Sequence, residues 1–291
     1  MGSSTVDGPD FICIGMPKAG TGWLFDQLKG HPDFWMPPTK GLHYLRYEYP
    51  AMRSLTRQLM RSARGGGAER AKGRPMDERD LLFLQEASAF GGQRRDVARY
   101  AKLFRHKNAS LSGEITAAYA DLKDAAIAEI AEGLPDVKII LLVRDPVARA
   151  SSHISMEYRR KKFDPELLDR SRRLRLYLQN SPSCGQRSFP TKIVERWRKH
   201  APKLQFHHVL FDDIANEPEK ARRDILLYLG ADPEKPSGEL PADYNRKSTQ
   251  AKLELTERAK RILIEHFEDE LHACAELFGS HAKSWAGRYG L

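Results

Sequence analysis

The sequence predicts an α/β fold in which helices flank a central parallel sheet. Short apolar runs alternate with longer stretches of helical periodicity along the 291-residue chain, and this alternation is typical of βαβ units. One run, residues 137–143, is apolar enough for a strand that is buried on both faces. Polar residues follow each predicted strand, where the carboxyl edge of a parallel sheet presents its loops to a ligand.

Three segments are predicted as strands. The first is Phe11–Gly15, an uninterrupted apolar segment that ends in glycine. The second is residues 137–143, and the third is residues 206–211. The third contains His207 and His208, which we assign to a strand and its edge because nothing in their spacing indicates a metal site.

Helix-start and helix-end residues define the predicted helices. Asp145 supplies a capping carboxylate and Pro146 a first-turn proline, which together begin a helix. Pro218 begins another, and Gly230 is suited to end it. Apolar residues between 253 and 278 recur at helical spacing, as one or two amphipathic helices require. The predicted helices cover residues 146–161, 219–229 and 253–278.

We expect a single domain over residues 10–291 that follows an N-terminal tail at residues 1–9. The chain is long enough for one sizeable core. Residues 61–79 contain three consecutive glycines, many charges and almost no large apolar side chain. Such a segment contributes little to a core, so we expect a mobile excursion there.

Composition indicates a protein of the cytoplasm. No run of about 18 apolar residues is present to span a membrane, and the first ten residues lack the basic and apolar regions of a signal peptide. The three cysteines are odd in number and far apart, which argues against a disulfide framework.

The net charge of +9 fits either an anion-attracting surface or an ordinary basic surface. We expect no nucleic-acid partner, because the sequence has neither zinc-finger spacing nor an aromatic-basic RNA motif. The oligomeric state is left open.

A glycine-containing turn joins the first strand to a helix. Gly15 and Gly20 have the spacing of a nucleotide P-loop, but Thr21 follows Gly20, and Lys18 stands two residues before it. Unpaired N–H groups at a helix N-terminus attract anions, and a nearby lysine adds charge. The turn therefore predicts a site for a phosphate or sulfate that needs no bound metal.

A second anion site is predicted where residues 137–143 end. Arg144 follows this strand, and Ser152 lies about two helical turns further on. A guanidinium and a hydroxyl at this spacing could hold one phosphate. Alternatively, Arg144 pairs with a carboxylate and Ser152 is an ordinary helix residue.

Together the two segments resemble the sulfotransferases that use 3′-phosphoadenosine 5′-phosphosulfate (PAPS), in particular the bacterial and heparan-sulfate-type members. Residues 17–24 resemble the family's phosphosulfate loop, P-K-x-G-T-[ST]-W-L, and residues 143–152 resemble its 3′-phosphate motif, L-R-[DN]-P-x-x-R-x-x-S. Residues 31–44 and 112–119 are similar to the segments H-P…K-E-x-H-[FY] and G-E-K-T-P-x-Y. The resemblance extends over residues 10–230 and implies a P-loop-like sulfotransferase fold.

The resemblance implies sulfonate transfer from PAPS to a hydroxyl or amine of a small-molecule or glycan acceptor by in-line displacement. Adenosine 3′,5′-bisphosphate (PAP) would be the second product, and no metal is implied. Two later basic residues occupy a stretch where the family covers the cofactor, although a solvated basic turn explains them equally well. The implied cofactor-binding residues are Lys18, Ala19, Gly20, Thr21, Gly22, Trp23, Arg144, Ser152, Arg246 and Lys247.

The catalytic residues are less directly implied, because Gly41 stands where heparan-type members have their catalytic glutamate. Lys18 is our candidate for the charge near the bridging oxygen. His43 is the first candidate for the general base, since imidazole titrates near neutral pH, and a structural role under the cofactor loop is its alternative. Glu114 is the second candidate. For His153 we expect a place on a helix surface.

Two other functions remain as alternatives. A P-loop nucleotide kinase requires a Lys-Ser/Thr pair after Gly20, which the sequence lacks. A protein that binds a nucleotide or polyanion without catalysis remains compatible with the glycine at position 41.

Overall fold

Four parallel strands form one sheet, which confirms the predicted α/β class. The structure is a computed structural model and describes residues 8–47, 76–90, 93–236, 240–244 and 252–291. The strand order is β2-β1-β3-β4. The strands are β1 (Phe11–Gly15), β2 (Gly113–Ile115), β3 (Lys138–Val143) and β4 (Phe206–Leu210).

The three predicted strands are present, and β2 is an addition to them. β1 is fully buried and pairs with β2 on one side and β3 on the other. Gly113 pairs with Phe11, and a Cβ at Gly113 would lie 2.4 Å from the Phe11 carbonyl oxygen. Only glycine fits this close approach. His207 and His208 lie on β4 at the sheet edge, as predicted.

Ten α-helices are described. Two of the predicted helices are present with small shifts in their ends, and the long C-terminal one begins later, after the Thr256 side chain caps its first turn. Gly230 ends its helix in the left-handed region, with φ of +89°. The helices are α1 (Thr21–Lys29), α2 (Glu78–Ser88), α3 (Val97–Lys102), α4 (Asp124–Gly133), α5 (Pro146–Arg159), α6 (Ser171–Asn180), α7 (Pro190–His200), α8 (Phe211–Asn216), α9 (Pro218–Leu229) and α10 (Glu257–Phe278).

The predicted excursion lies mostly outside the described residues, as do residues 1–7 of the predicted tail. Its end, however, belongs to α2, where Asp77 and Asp80 form a reciprocal capping box. Among the helices in the described ranges, none combines the length and the apolar character needed to cross a membrane.

The strand order brings the two predicted anion sites together. From β1 the chain continues to β2 on one side, and it then returns to β3 on the other side of β1. The loops after β1 and β3 therefore leave neighbouring strands at the point where the topology changes direction. Ligands of parallel α/β sheets bind at this place.

Candidate functional site

The loop after β1 leaves the N-terminus of α1 open to an anion. Gly20 is the N-cap of α1 at φ of +97°, a conformation that glycine adopts without strain. A Cβ there would also lie 3.1 Å from Cδ1 of Ile214 on α8. Because glycine offers no capping side chain, the first N–H groups of the helix stay available for a ligand.

Arg144 connects the two predicted sites directly. Its Nη1 donates to the carbonyl oxygen of Lys18 at 2.8 Å. The guanidinium also lies over the ring of Phe211, 4.5 Å from the centroid. Burial lowers the pKa of Arg144, and the carboxylates of Asp145 and Asp212 oppose that shift. The hydrogen bond thus places the guanidinium against the loop that contains Lys18.

The conformation of the Arg144 segment is stabilised from α5 and from the C-terminus. Oδ1 of Asp145 accepts from the backbone N–H groups of Val147 at 2.9 Å and Ala148 at 3.1 Å. Oδ2 of the same carboxylate accepts from the hydroxyl of Tyr289 at 2.7 Å. Tyr289 belongs to the 3-10 helix Ala286–Tyr289. A C-terminal element thus stabilises the helix start that carries the predicted 3′-phosphate motif.

Arg149 is a further buried cation beside the loop. Its guanidinium donates to the carbonyl oxygens of Ser183 at 2.8 Å and Cys184 at 2.7 Å, and more distantly to that of Pro17 at 3.5 Å. Burial lowers its pKa to about 10. These bonds connect the loop to the segment before the 3-10 helix Gln186–Ser188.

Ser152 is half-buried on α5, and its neighbour His153 is buried rather than on the helix surface as predicted. The prediction was wrong because this face of α5 packs inward, near several cationic side chains. Burial, followed by the charges of Arg149 and Arg187, lowers the pKa of His153 to about 3. The charge of Lys18 contributes to the same shift, so His153 on α5 lies near the loop after β1.

The remaining predicted loop residues are part of the same turn and helix. Ala19 is fully buried, and Gly22 is half-buried. Thr21 accepts a hydrogen bond at its Oγ1 from Nζ of Lys40, 3.0 Å away. This contact joins the segment around Lys40 to the loop.

Trp23 connects α1 with the chain that precedes two other predicted residues. Its Nε1 donates to the carbonyl oxygen of Ala242 at 2.6 Å. The predicted cofactor residues Arg246 and Lys247 themselves lie outside the described residues.

His43 stands in a tight turn beside Gly41. Gly41 has φ of +85°, and a Cβ there would lie 3.4 Å from Nε2 of His43. His43 is exposed overall, and it is the N-cap of the 3-10 helix Tyr44–Arg46. Partial desolvation of the ring lowers the pKa of His43, and the charges of Arg46, Arg187 and Lys40 lower it further. The imidazole is therefore neutral at pH 7.

Glu114 is buried, and both of its oxygens accept hydrogen bonds. The N–H of Leu42 donates to Oε1 at 2.9 Å, and the hydroxyl of Tyr100 donates to Oε2 at 2.6 Å. The hydroxyls of Thr116 and Tyr119 also donate to this carboxylate. Burial raises the pKa of Glu114, and these donors oppose the shift. The carboxylate therefore stabilises the turn that carries His43.

Sequence reasoning missed three cationic residues near this site. Lys40 and Arg149 lie inside the segments that resemble the family, but no function was predicted for either. Arg187 belongs to no motif. It reaches the site because Asp121 binds its guanidinium at 3.0 Å.

Comparison with known proteins identifies the family to which this fold and loop belong. The sequence pattern of the sulfotransferase family matches residues 9–235. The chain belongs to the sulfotransferase family. This confirms the family resemblance stated from the motifs. None of the curated proteins with which the sequence was compared matches it.

Solved structures of other sulfotransferases share the fold. The sulfotransferase from Alicyclobacillus acidocaldarius has a TM-score of 0.63 and 21% identity, over 95% of this chain and 98% of that one. The sulfotransferase domain of the Synechococcus PCC 7002 olefin synthase has a TM-score of 0.51 and 19% identity, over 90% and 94%. Sulfotransferase STF9 from Mycobacterium avium has a TM-score of 0.50 and 16% identity, over 93% and 77%. At these identities the likeness concerns the fold.

Proposed function

We propose that this sulfotransferase moves a sulfonate group from PAPS to a hydroxyl or amine of a small-molecule or glycan acceptor and releases PAP. The hydrogen bond between Arg144 and the Lys18 carbonyl, 2.8 Å long, is the observation that carries the proposal. It brings the arginine of the second motif to the loop of the first. The donor needs such an arrangement because its two anionic groups lie at opposite positions of one ribose.

The residues present fit this donor. Gly20 leaves the N–H groups of α1 free of a side-chain cap, which suits the phosphosulfate end. The Arg144 guanidinium and Ser152 hydroxyl suit a 3′-phosphate, for which a planar fork and a hydroxyl are good donors. When bound, PAPS supplies an activated sulfonate whose leaving group is the 5′-phosphate of PAP.

Lys18 and His43 would act on the reacting groups. The ammonium of Lys18 would stabilise charge that develops on the oxygen between phosphate and sulfonate as the sulfur–oxygen bond breaks. His43 would take the proton from the acceptor as its oxygen or nitrogen bonds to sulfur. A base must be neutral to do this, and the lowered pKa of His43 keeps its ring neutral at pH 7.

Glu114 is better suited to positioning than to proton transfer. It accepts hydrogen bonds from four donors and is buried, so an acceptor proton would have to displace existing donors. Its bond to the Leu42 N–H stabilises the backbone next to His43. We therefore propose His43 as the base and Glu114 as the residue that positions its turn.

Ligand-dependent melting separates the proposal from its rivals. A ligand at about 100 times its dissociation constant stabilises a protein by roughly 2.7 kcal/mol. We expect PAP without magnesium to raise the melting temperature more than Mg-ATP does. The reverse order would favour a nucleotide kinase, and sulfonate transfer from radiolabelled PAPS to an acceptor panel distinguishes an enzyme from a binding protein.

Lys18→Ala tests the mechanism. Loss of one preorganised charge-stabilising group costs about 3 kcal/mol, so we expect turnover to fall at least a hundredfold. Lys203→Ala, at an exposed lysine after α7, is the matched control. Turnover that Lys18→Ala leaves unchanged would remove Lys18 from the mechanism.

A further inference from the structure

Two arginines beside His43 share one carboxylate. Oδ2 of Asp121 lies 3.2 Å from Nη2 of Arg46 and 3.0 Å from Nη2 of Arg187. Both contacts use the same oxygen, so neither guanidinium is bound by a two-oxygen fork. The group carries two positive charges and one negative charge, and each arginine keeps donors for a second oxyanion.

The surroundings increase this positive excess. Arg149 lies near enough to Arg187 for the Arg187 charge to add to the lowering of the Arg149 pKa by burial. In the described part of the chain, the hydrogen bonds of the Arg149 guanidinium go to carbonyl oxygens. Nε of Arg187 is buried and has no hydrogen-bond partner among the described residues. Buried cations are costly, and an anion bound nearby offsets this excess of positive charge.

Arg46 is the member of this group that a ligand can reach. Its side chain is 24% exposed, against 8% for Arg187. Its guanidinium lies 5.5 Å from the ring centroid of Tyr47, which is 50% exposed. Arg187 and Asp121 thus form a buried support behind an accessible cation.

Arg46 and His43 lie close together, at the two ends of one short turn. The N–H of Arg46 donates to the His43 carbonyl at 3.3 Å, and the Arg46 charge is near enough to the imidazole to add to the lowering of the His43 pKa by desolvation. A molecule that presents its hydroxyl to the imidazole therefore has its neighbouring group near Arg46. The donor-binding residues Lys18 and Arg144 belong to different elements, the loops after β1 and β3.

We propose that the acceptor of this enzyme carries an oxyanion, a carboxylate or a phosphate, which Arg46 binds while Asp121 and Arg187 hold the guanidinium in place. The proposal rests on the proposed sulfonate transfer, because it assigns the anion site to the acceptor. Arg46 is then a specificity-determining residue. It selects anionic acceptors over neutral ones of the same shape.

Binding of matched acceptor pairs to the PAP complex tests the proposal. The carboxylate pair is 4-hydroxyphenylacetate and its methyl ester, and the phosphate pair is glycerol 3-phosphate and glycerol. Dissociation constants come from thermal melts at saturating PAP. Since a hydrogen bond to a charged group contributes about 1.5–3 kcal/mol, we expect the anionic member of at least one pair to bind roughly tenfold to hundredfold more tightly. Which pair responds identifies the anion.

Arg46→Gln should remove this preference, and Arg46→Lys should restore part of it. In Arg46→Gln the Asp121 carboxylate keeps its ion pair with Arg187, so no buried charge loses its only partner. Arg223→Gln, which breaks the exposed pair with Glu234, is the matched control and should keep the wild-type preference. The preference is read from dissociation constants for both pairs in all four proteins.

Several results would overturn the proposal. One is equal binding of the anionic and neutral members of both pairs to the wild type, and another is an undiminished preference in Arg46→Gln. A third is weaker PAP binding in Arg46→Gln, because Arg46 would then bind the sulfonate donor rather than the acceptor. If PAP fails to bind the wild type, the proposed function is wrong, and the same pairs measured on the free protein still decide whether Arg46 selects anions.

Discussion

Acid pH should destabilise this sulfotransferase through His153. Burial and the charges of Arg149 and Arg187 lower the pKa of this imidazole from 6.5 to about 3. Oε1 of Glu157 lies 3.2 Å from Nε2 of His153, but neither ring nitrogen makes a hydrogen bond among the described residues. Oε2 of Glu157 accepts from the hydroxyl of Tyr177 at 2.6 Å. Desolvation and the surrounding cations together outweigh this single carboxylate.

The sign and size of the effect follow from proton uptake. In the unfolded chain His153 gains a proton as the pH falls through 6.5, whereas in the folded protein it stays neutral until about pH 3. The unfolded state therefore binds more protons in this window, and stability falls with pH. The loss from this one residue is about 1.4 kcal/mol at pH 5.5 and about 2.7 kcal/mol at pH 4.5.

Urea unfolding at pH 7.5, 5.5 and 4.5 measures this loss. Burial raises the pKa values of Glu114, Asp145 and Glu270, so these acids add stability as the pH falls. The pH dependence of the wild-type unfolding free energy therefore combines opposite effects. The difference in unfolding free energy between the wild type and His153→Gln isolates the contribution of the imidazole. His200→Gln, at a histidine 3.3 Å from Asp124, is the surface control. Parallel changes in the wild type and His153→Gln would refute the reasoning.

Two further substitutions test the supports of the site. Glu114→Ala leaves at least four buried donors unpaired, so we expect a loss of about 4 kcal/mol or more in urea unfolding, against about 1–2 kcal/mol for Glu114→Gln. A loss below about 1 kcal/mol in Glu114→Ala would contradict the count of buried hydrogen bonds. Tyr289→Phe removes a donor to the buried Asp145 carboxylate and should cost about 1–3 kcal/mol. If Tyr289 also positions Arg144, this variant binds PAP more weakly while its affinity for adenosine 5′-monophosphate, which has no 3′-phosphate, changes little.

Three of the strands, and the loops that follow two of them, could be predicted because their signals are local. A buried strand, a turn with Gly20 and a following helix lie within one short stretch, and the same holds for Arg144 after β3. β2 could not be predicted, since Gly113–Ile115 is too short to show a period. Its strand character comes from pairing with β1.

The residues that surround the site could not be predicted, because packing alone brings them there. Arg187 lies 43 residues after Arg144 on a separate 3-10 helix, and no local pattern distinguishes it from other arginines. For His153, which follows Ser152 of the second motif, a helix-surface position is the sequence-based expectation. The burial of His153 depends on which face of α5 packs against the rest of the protein, and the local sequence does not determine that face.

Gly41, where the resembled motif has a glutamate, is explained by the conformation of its own turn. Its φ of +85° is one that residues with a side chain rarely adopt, and a Cβ there would be in contact with the His43 ring, 3.4 Å away. His43 itself has φ of +58°, so two residues of this turn have left-handed backbone conformations. The same turn conformation therefore accounts for a glycine at position 41 and sets the position of the His43 backbone. Desolvation lowers the pKa of this imidazole most, and the nearby cations lower it further. The same cations attract an oxyanion, so the proposed base and the proposed acceptor preference depend in part on the same charges.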